Sequence, residues 1–198
     1  SLSFFTNQPE NNKEGTTNRA NFNLSGPLAG EALTMRLYGN INKTEPDAWD
    51  INHAQNGSYA AGREGVRNKD INALLSWKMT PQQILDFSYA YSRQGNIYAG
   101  DTQYSNGNLS PNGLVDSLYG HETNRLYRQS WGLTYNGLWD WGQSKAGVYY
   151  EKTNNTRLQE GSTGRVEGMI NSEDYATSRL ESWRTTSEFN VPFFWLAD

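Results

Sequence analysis

The chain has 198 residues, a formal net charge of -4, no Cys and 19 Gly, with 7 Trp, 12 Tyr and 7 Phe. The lack of Cys excludes a disulfide scaffold and a thiolate metal site, and an acidic balance with a pI near 5.3 argues against a general nucleic-acid binder, which needs a basic face. No apolar run approaches the roughly eighteen residues of a transmembrane helix. A mean hydropathy of -0.82 leaves a membrane β-barrel open, because such strands show lipid only every second residue.

Ser1-Leu2-Ser3-Phe4-Phe5 lacks the charged start and apolar run of a signal peptide, and residues 1–16 read as a polar loop. Alternation then begins. The first predicted strand sets Ala20, Phe22 and Leu24 against Asn21 and Asn23. The second sets Leu33, Met35, Leu37, Gly39 and Ile41 against Thr34, Arg36, Tyr38, Asn40 and Asn42. The third opposes Ile71, Ala73, Leu75, Trp77 and Met79 to Asp70, Asn72, Leu74, Ser76 and Lys78, and the fourth opposes Leu85, Phe87, Tyr89 and Tyr91 to Asp86, Ser88, Ala90 and Ser92. A fifth places Tyr127, Trp131, Leu133 and Tyr135 against Arg128, Ser130, Gly132 and Thr134. The sixth (Ala146, Val148, Tyr150) and the seventh (Leu180–Val191, with Trp183, Thr185, Phe189 and Val191) complete the series. Period-two alternation throughout predicts an all-β, antiparallel sheet of about seven strands.

The breaks between these strands alternate in length. Residues 26–30, 80–83 and 140–143 are short and turn-rich, whereas about 44–66, 95–121 and 158–178 are long and polar. Short turns on one side and long loops on the other are the layout of an outer-membrane barrel. Alternation alone also fits a β-sandwich, in which the apolar face packs inward. Two features favour the barrel. Several runs exceed the five or six residues usual in soluble sheets, and aromatic residues gather at both ends. Trp77, Trp139, Trp141, Phe193, Phe194 and Trp195 lie by the short turns, and Tyr38, Tyr91, Tyr127 and Trp183 lie toward the long loops. With short turns periplasmic, the long loops are external. An odd number of strands cannot close as an antiparallel barrel, so the sequence is expected to be one portion of a larger one.

Several junctions resemble a known family. Leu37-Tyr38-Gly39-Asn40-Ile41-Asn42-Lys43-Thr44 and Asp47-Ala48-Trp49-Asp50-Ile51-Asn52 are similar to the early barrel of TonB-dependent siderophore receptors, above all those for ferric enterobactin and related catecholates. So are residues 61–72, Tyr91–Gln103 and Glu122–Gln129. The resemblance spans most of Thr16–Gly168 and weakens in Asn106–Leu118 and beyond Asn171. It implies a barrel of about 22 strands in the bacterial outer membrane, filled by an N-terminal plug, and import powered through a short segment that engages TonB. The sequence contains neither plug nor coupling segment. Outer-membrane lipid and lipopolysaccharide are the implied surroundings, and phage or bacteriocins are further partners that such loops attract. A soluble carbohydrate-binding β-sandwich and a passive porin-type channel are the alternatives.

The implied ligand is a ferric tris-catecholate, a compact trianion with flat aromatic faces that carries its own iron, so no cofactor is expected on protein side chains. Arginines meet its charge and aromatic rings stack on it. Arg93 precedes the second long loop, Arg125 and Arg128 follow it, and Tyr98, Tyr104, Tyr119 and Tyr127 lie beside them, which makes these seven the candidate contacts. The competing reading is structural: wall arginines pair with carboxylates, Asp101 or Glu122 among them, and Arg128 shares a face with Ser130. Asp47 and Asp50 could hold a hard cation, though a solvated loop anchored by Trp49 is the simpler reading. His53 and His121 are too far apart for a metal pair, Gly62-Arg63-Glu64-Gly65 is no phosphate loop, and no residue set suggests catalysis.

Overall fold

In the computed structural model the described residues are 1–53, 62–99, 120–160 and 170–192. They form one sheet of eight strands in simple sequence order, every neighbouring pair antiparallel. The strands are β1 (Leu2–Asn7), β2 (Thr17–Ala29), β3 (Leu33–Thr44), β4 (Gly65–Thr80), β5 (Gln83–Ile97), β6 (Glu122–Trp139), β7 (Gly142–Glu160) and β8 (Ile170–Asn190).

Two differences from the sequence expectation stand out. Leu2–Asn7 is a strand rather than loop, with Leu2 opposite Phe22 and Phe4 opposite Ala20. The count is therefore eight, not seven, and an odd number no longer argues for a partial barrel. Among the described residues β1 and β8 each pair along one edge only, so the eight strands form an open wall. The second difference lies in 158–178, where β7 runs on to Glu160 and β8 begins at Ile170, opposite each other. Backbone pairing between two long neighbours carries a ladder through polar residues that show no apolar alternation.

The tight connections follow from their residues. Gly30, at a φ of 53°, takes the left-handed region that a side chain would resist, just after a register shift between Pro27 and Ala29. Pro81-Gln82 and Asp140-Trp141 close the other two hairpins.

Register fixes two faces. One carries Trp77, Leu85 and Tyr135 in a row, then Leu75, Phe87, Leu133 and Val148, then Ala73, Tyr89, Trp131, Tyr150 and Trp183. Aromatic rings meet across strands on this face, Tyr89 with Trp131 at 4.4 Å and Tyr150 with Trp183 at 4.6 Å between centroids. Such tilted pairs add to what area alone supplies. At its short-turn end Trp139 stacks on Trp141, which meets Phe189. Phe193, Phe194 and Trp195 lie outside the described residues. Tyr38 is on the opposite, polar face beneath Arg36, so it is not part of the aromatic rim of the apolar one.

A sandwich would cover the apolar face with a second sheet. Here all eight strands share one sheet, and Phe4, Trp183 and Ile41 are 77%, 72% and 60% exposed. The sandwich alternative fails on this point. Among the described residues the only buried apolar side chains are Ile97, Tyr98 and Ala99. The apolar face is thus a surface that lipid satisfies.

Gly39 shows how tightly this single layer is fitted. A Cβ there would lie 2.4 Å from the Asp70 carbonyl oxygen and 2.7 Å from the Phe22 ring, which lies across the gap. Gly39→Val should therefore destabilise the barrel by about 1–3 kcal/mol, read as a lower temperature for the gel-mobility shift between folded and unfolded full-length receptor. An unchanged transition would show that the ring moves aside at no cost.

Candidate functional site at the long-loop ends of the strands

The long-loop end rises beyond what a bilayer needs. A tilted strand crosses the hydrocarbon with about 9–11 residues, whereas β6 has 18 and β7 has 19. The surplus lies opposite the Trp139–Trp141 girdle, because the strands stop at that girdle on the short-turn side.

Two knots hold the loop feet. In the first, the Asp47 carboxylate is buried and accepts the Gly15 amide at 2.9 Å and the Arg63 amide at 2.8 Å, one on each oxygen. Lys13 meets Asp50 at 2.9 Å, and the Ala48 amide bonds the Lys13 carbonyl at 2.7 Å. Both carboxylates singled out as a possible cation site are thus engaged by N–H donors that tie three chain segments together. No group of three or more metal-capable side chains occurs among the described residues. Gly15 has no room for a side chain, since a Cβ would fall 1.7 Å from the Glu45 carbonyl oxygen.

The second knot centres on Glu122, at the foot of β6. Its carboxylate pairs closely with Arg93, and both side chains are only 12% exposed. Arg67 lies 3.5 Å away and Arg125 3.9 Å away. The Arg93 guanidinium also sits 5.7 Å from the centroid of the Tyr127 ring, within cation–π range. On the loop side of Ile97, Tyr98 is 4% exposed, its backbone N–H donating to the His121 carbonyl and its own carbonyl accepting from Gly120.

Register divides the expected contacts between two faces. Arg93 is opposite Lys69 and Tyr127, and Arg125 is opposite Gly95 and Thr156, all in line with the apolar face below. Arg128 is on the other face, in line with Ser130, where Nε and Nη2 donate to the same Glu151 oxygen at 2.9 and 2.6 Å. Tyr104 and Tyr119 lie outside the described residues. Glu122 is the carboxylate partner that sequence reasoning offered as the structural reading. Sequence reasoning did not single out Arg157, which is exposed on the polar face opposite Asn124 and Ala176. Its signal was its parity with Glu151, two-residue steps along β7.

Glu122→Ala would leave the Arg93 guanidinium, nearly buried, without its carboxylate. The expected loss is about 3 kcal/mol, measured as a lower denaturant midpoint of the full-length receptor. Adding Arg93→Ala should cost less than the sum of the two single changes, because the pair acts as one unit.

Long strands in consecutive antiparallel order, one face apolar and bare and the other polar, define the wall of a transmembrane β-barrel. The sequence carries the particular kind: the chain is homologous over nearly all its length to TonB-dependent siderophore receptors of the outer membrane. It is 51% identical over 97% of its length to the ferric enterobactin receptor PirA of Pseudomonas aeruginosa. It is 53% identical over 98% to the probable TonB-dependent siderophore receptor PirA of Acinetobacter baumannii, whose crystal structure superposes with a TM-score of 0.82. A mutant of the ferric enterobactin receptor PfeA of P. aeruginosa, solved in complex with enterobactin, is 46% identical over 97% of the chain with a TM-score of 0.78. The chain spans about a quarter of these relatives, 26% of each PirA and 28% of PfeA. No family model matches the sequence.

Proposed function

We propose that the receptor containing this wall binds a ferric catecholate siderophore at its long-loop end and imports it with energy delivered through TonB. The observation that carries this is the identity, over almost the whole chain, with receptors named for ferric enterobactin. In this reading the long loops face the exterior, the short turns face the periplasm and the polar face lines the lumen. The reaction is binding and translocation, without catalysis, and the iron belongs to the ligand. The probable TonB-dependence of a relative at 53% identity favours this over a passive pore.

Parity supports a narrower assignment of contacts than proximity to the loop does. Arg128 and Arg157 stand on the polar face near the strand ends and supply the cations, with Tyr104 and Tyr119, between β5 and β6 in sequence, as the aromatic partners. Arg93, Arg125 and Tyr127 lie on the opposite face, around Glu122, and Tyr98 lies buried on the loop side of Ile97; these four position the loop feet rather than touch ligand. A single lost charge-assisted contact to the trianion should weaken binding about tenfold or more.

The test is ferric enterobactin binding to the full-length receptor by tryptophan fluorescence quenching. Arg128→Ala and Arg157→Ala should each raise the Kd about tenfold, and Arg125→Ala should leave it within about twofold. A large effect of Arg125→Ala with none from the other two would return the ligand to the Glu122 cluster.

A further inference from the structure

The arginines of the polar face differ in what holds them. Arg128 is matched by the Glu151 carboxylate. Arg36 lies 4.5 Å from the Tyr38 ring centroid and Arg184 lies 4.7 Å from that of Tyr149. Those rings carry hydroxyls that suit a wet face, and the Tyr149 hydroxyl meets that of Thr134. Arg19, on β2, is different. Its guanidinium lies 5.9 Å from the ring centroid of Phe5, directly opposite on β1, and it makes no ion pair among the described residues. Phe5 shares the polar face with Ser3 and has no polar atom to offer water, yet it is 55% exposed. A bare ring among polar side chains leaves free energy to be gained from an apolar or aromatic contact.

The neighbours of this pair are neutral and ordered. Asn42, directly opposite Arg19, donates from Nδ2 to Asn40 at 2.8 Å, Asn40 donates to Asn21, and Asn21 donates to Ser3. Toward the loops, the Thr17 and Thr44 hydroxyls bond each other. The carboxylate of the next row down, Asp70, is two strands away from β2 and already accepts from Asn72. The charge of Arg19 is therefore not cancelled locally, although the chain as a whole carries -4. Such a cation on a concave wall attracts anions. Its height is also informative. Arg19 shares a row with Asn42 and Asn68, and Asn68 is nine residues up β4 from Trp77. At about 3.3 Å per residue and a tilt near 40°, that is about 23 Å, the top of the apolar band of a membrane barrel.

Resting on the reading given under Proposed function, we infer that Phe5 and Arg19 form a contact for one catecholate arm of the ferric siderophore, on the lumenal side of the mouth. The catecholate ring lies against the exposed part of Phe5, and the Arg19 guanidinium reaches its oxygens. The pair offers what an aromatic anion needs and a simple anion does not: a flat apolar surface and an uncompensated planar cation within one side-chain contact. It also extends the grip beyond Arg128 and Arg157 to β1 and β2, four strands away from β6. Phe5 lies in the stretch that sequence alternation leaves as loop, and the pairing of β1 with β2 is what brings its ring to Arg19.

Ferric enterobactin titration of the full-length receptor, with thermal unfolding followed on the same samples, tests the contact. Arg19→Gln should raise the Kd about tenfold, and Phe5→Leu, which keeps apolar bulk without the aromatic face, about threefold. The double variant should lose less than the product of the two, because ring and guanidinium hold one group. Arg19→Lys keeps the charge without the planar fork and should recover part of the loss. The unfolding temperature should stay within about 2 °C throughout. Lys145→Gln, on the polar face near the short turns, should leave the Kd unchanged. The inference is overturned if Arg19→Gln and Phe5→Leu bind as the wild type does. It is equally overturned if their weaker binding comes with a matching fall in unfolding temperature, the sign of a ring packed against another part of the receptor. A wild type that binds no ferric enterobactin would sink the import reading and this contact with it, whereas tight binding shared by wild type and variants sinks the contact alone.

Discussion

Everything in this chain depends on one requirement of hydrocarbon: a backbone N–H or C=O left without a partner there costs several kcal/mol. The ladder from β1 to β8 meets that requirement between strands, residue by residue. Once the ladder is fixed, alternation leaves no choice about faces, because a one-residue slip would turn every side chain to the wrong side. The apolar band, the aromatic girdle, the polar lumen face and the Glu122 cluster at the rim are consequences of the same register.

The ladder also explains why the ends of the strands are knotted. Beyond the bilayer the sheet loses its apolar surroundings, and water competes for its backbone groups. Asp47 and Glu122 sit at that transition, each drawing in N–H donors or guanidinium groups from separate segments. The knots are local substitutes for a hydrophobic core that a single sheet cannot have.

Much of this was legible in the sequence. The hairpins β2–β3, β4–β5 and β6–β7 announce themselves through alternation on both sides of a tight turn. β1 did not, because six residues with a Phe4-Phe5 doublet spoil the alternation, and its pairing with β2 is settled only by the partner strand. The start of β8 was hidden for the opposite reason: residues 170–177 show no period-two alternation in sequence, and long strand partners rather than local preference hold the backbone extended. At the site, Arg128 was placed on the polar face from its parity with Ser130. Arg93 was singled out for its closeness to the loop, while its shared parity with Leu85, Phe87, Tyr89 and Tyr91 went unused. Where a strand continues, the two-residue period fixes the face a side chain takes, which closeness to a loop does not. Glu122 as a partner was readable; its sharing among Arg67, Arg93 and Arg125 was not, since that depends on the register shift at Ile97.

A wall whose described residues bury only Ile97, Tyr98 and Ala99 among the apolar ones has no inside in the usual sense. Depth, the measure by which substitutions in globular proteins are ranked, carries little information here. Two other coordinates replace it: how far up its strand a residue lies, and whether its number is odd or even relative to its neighbours. A charge harmless at the rim is ruinous eight residues lower on the same face. One position along, it meets water in the lumen. Tolerance to change in such a protein is striped and banded rather than radial.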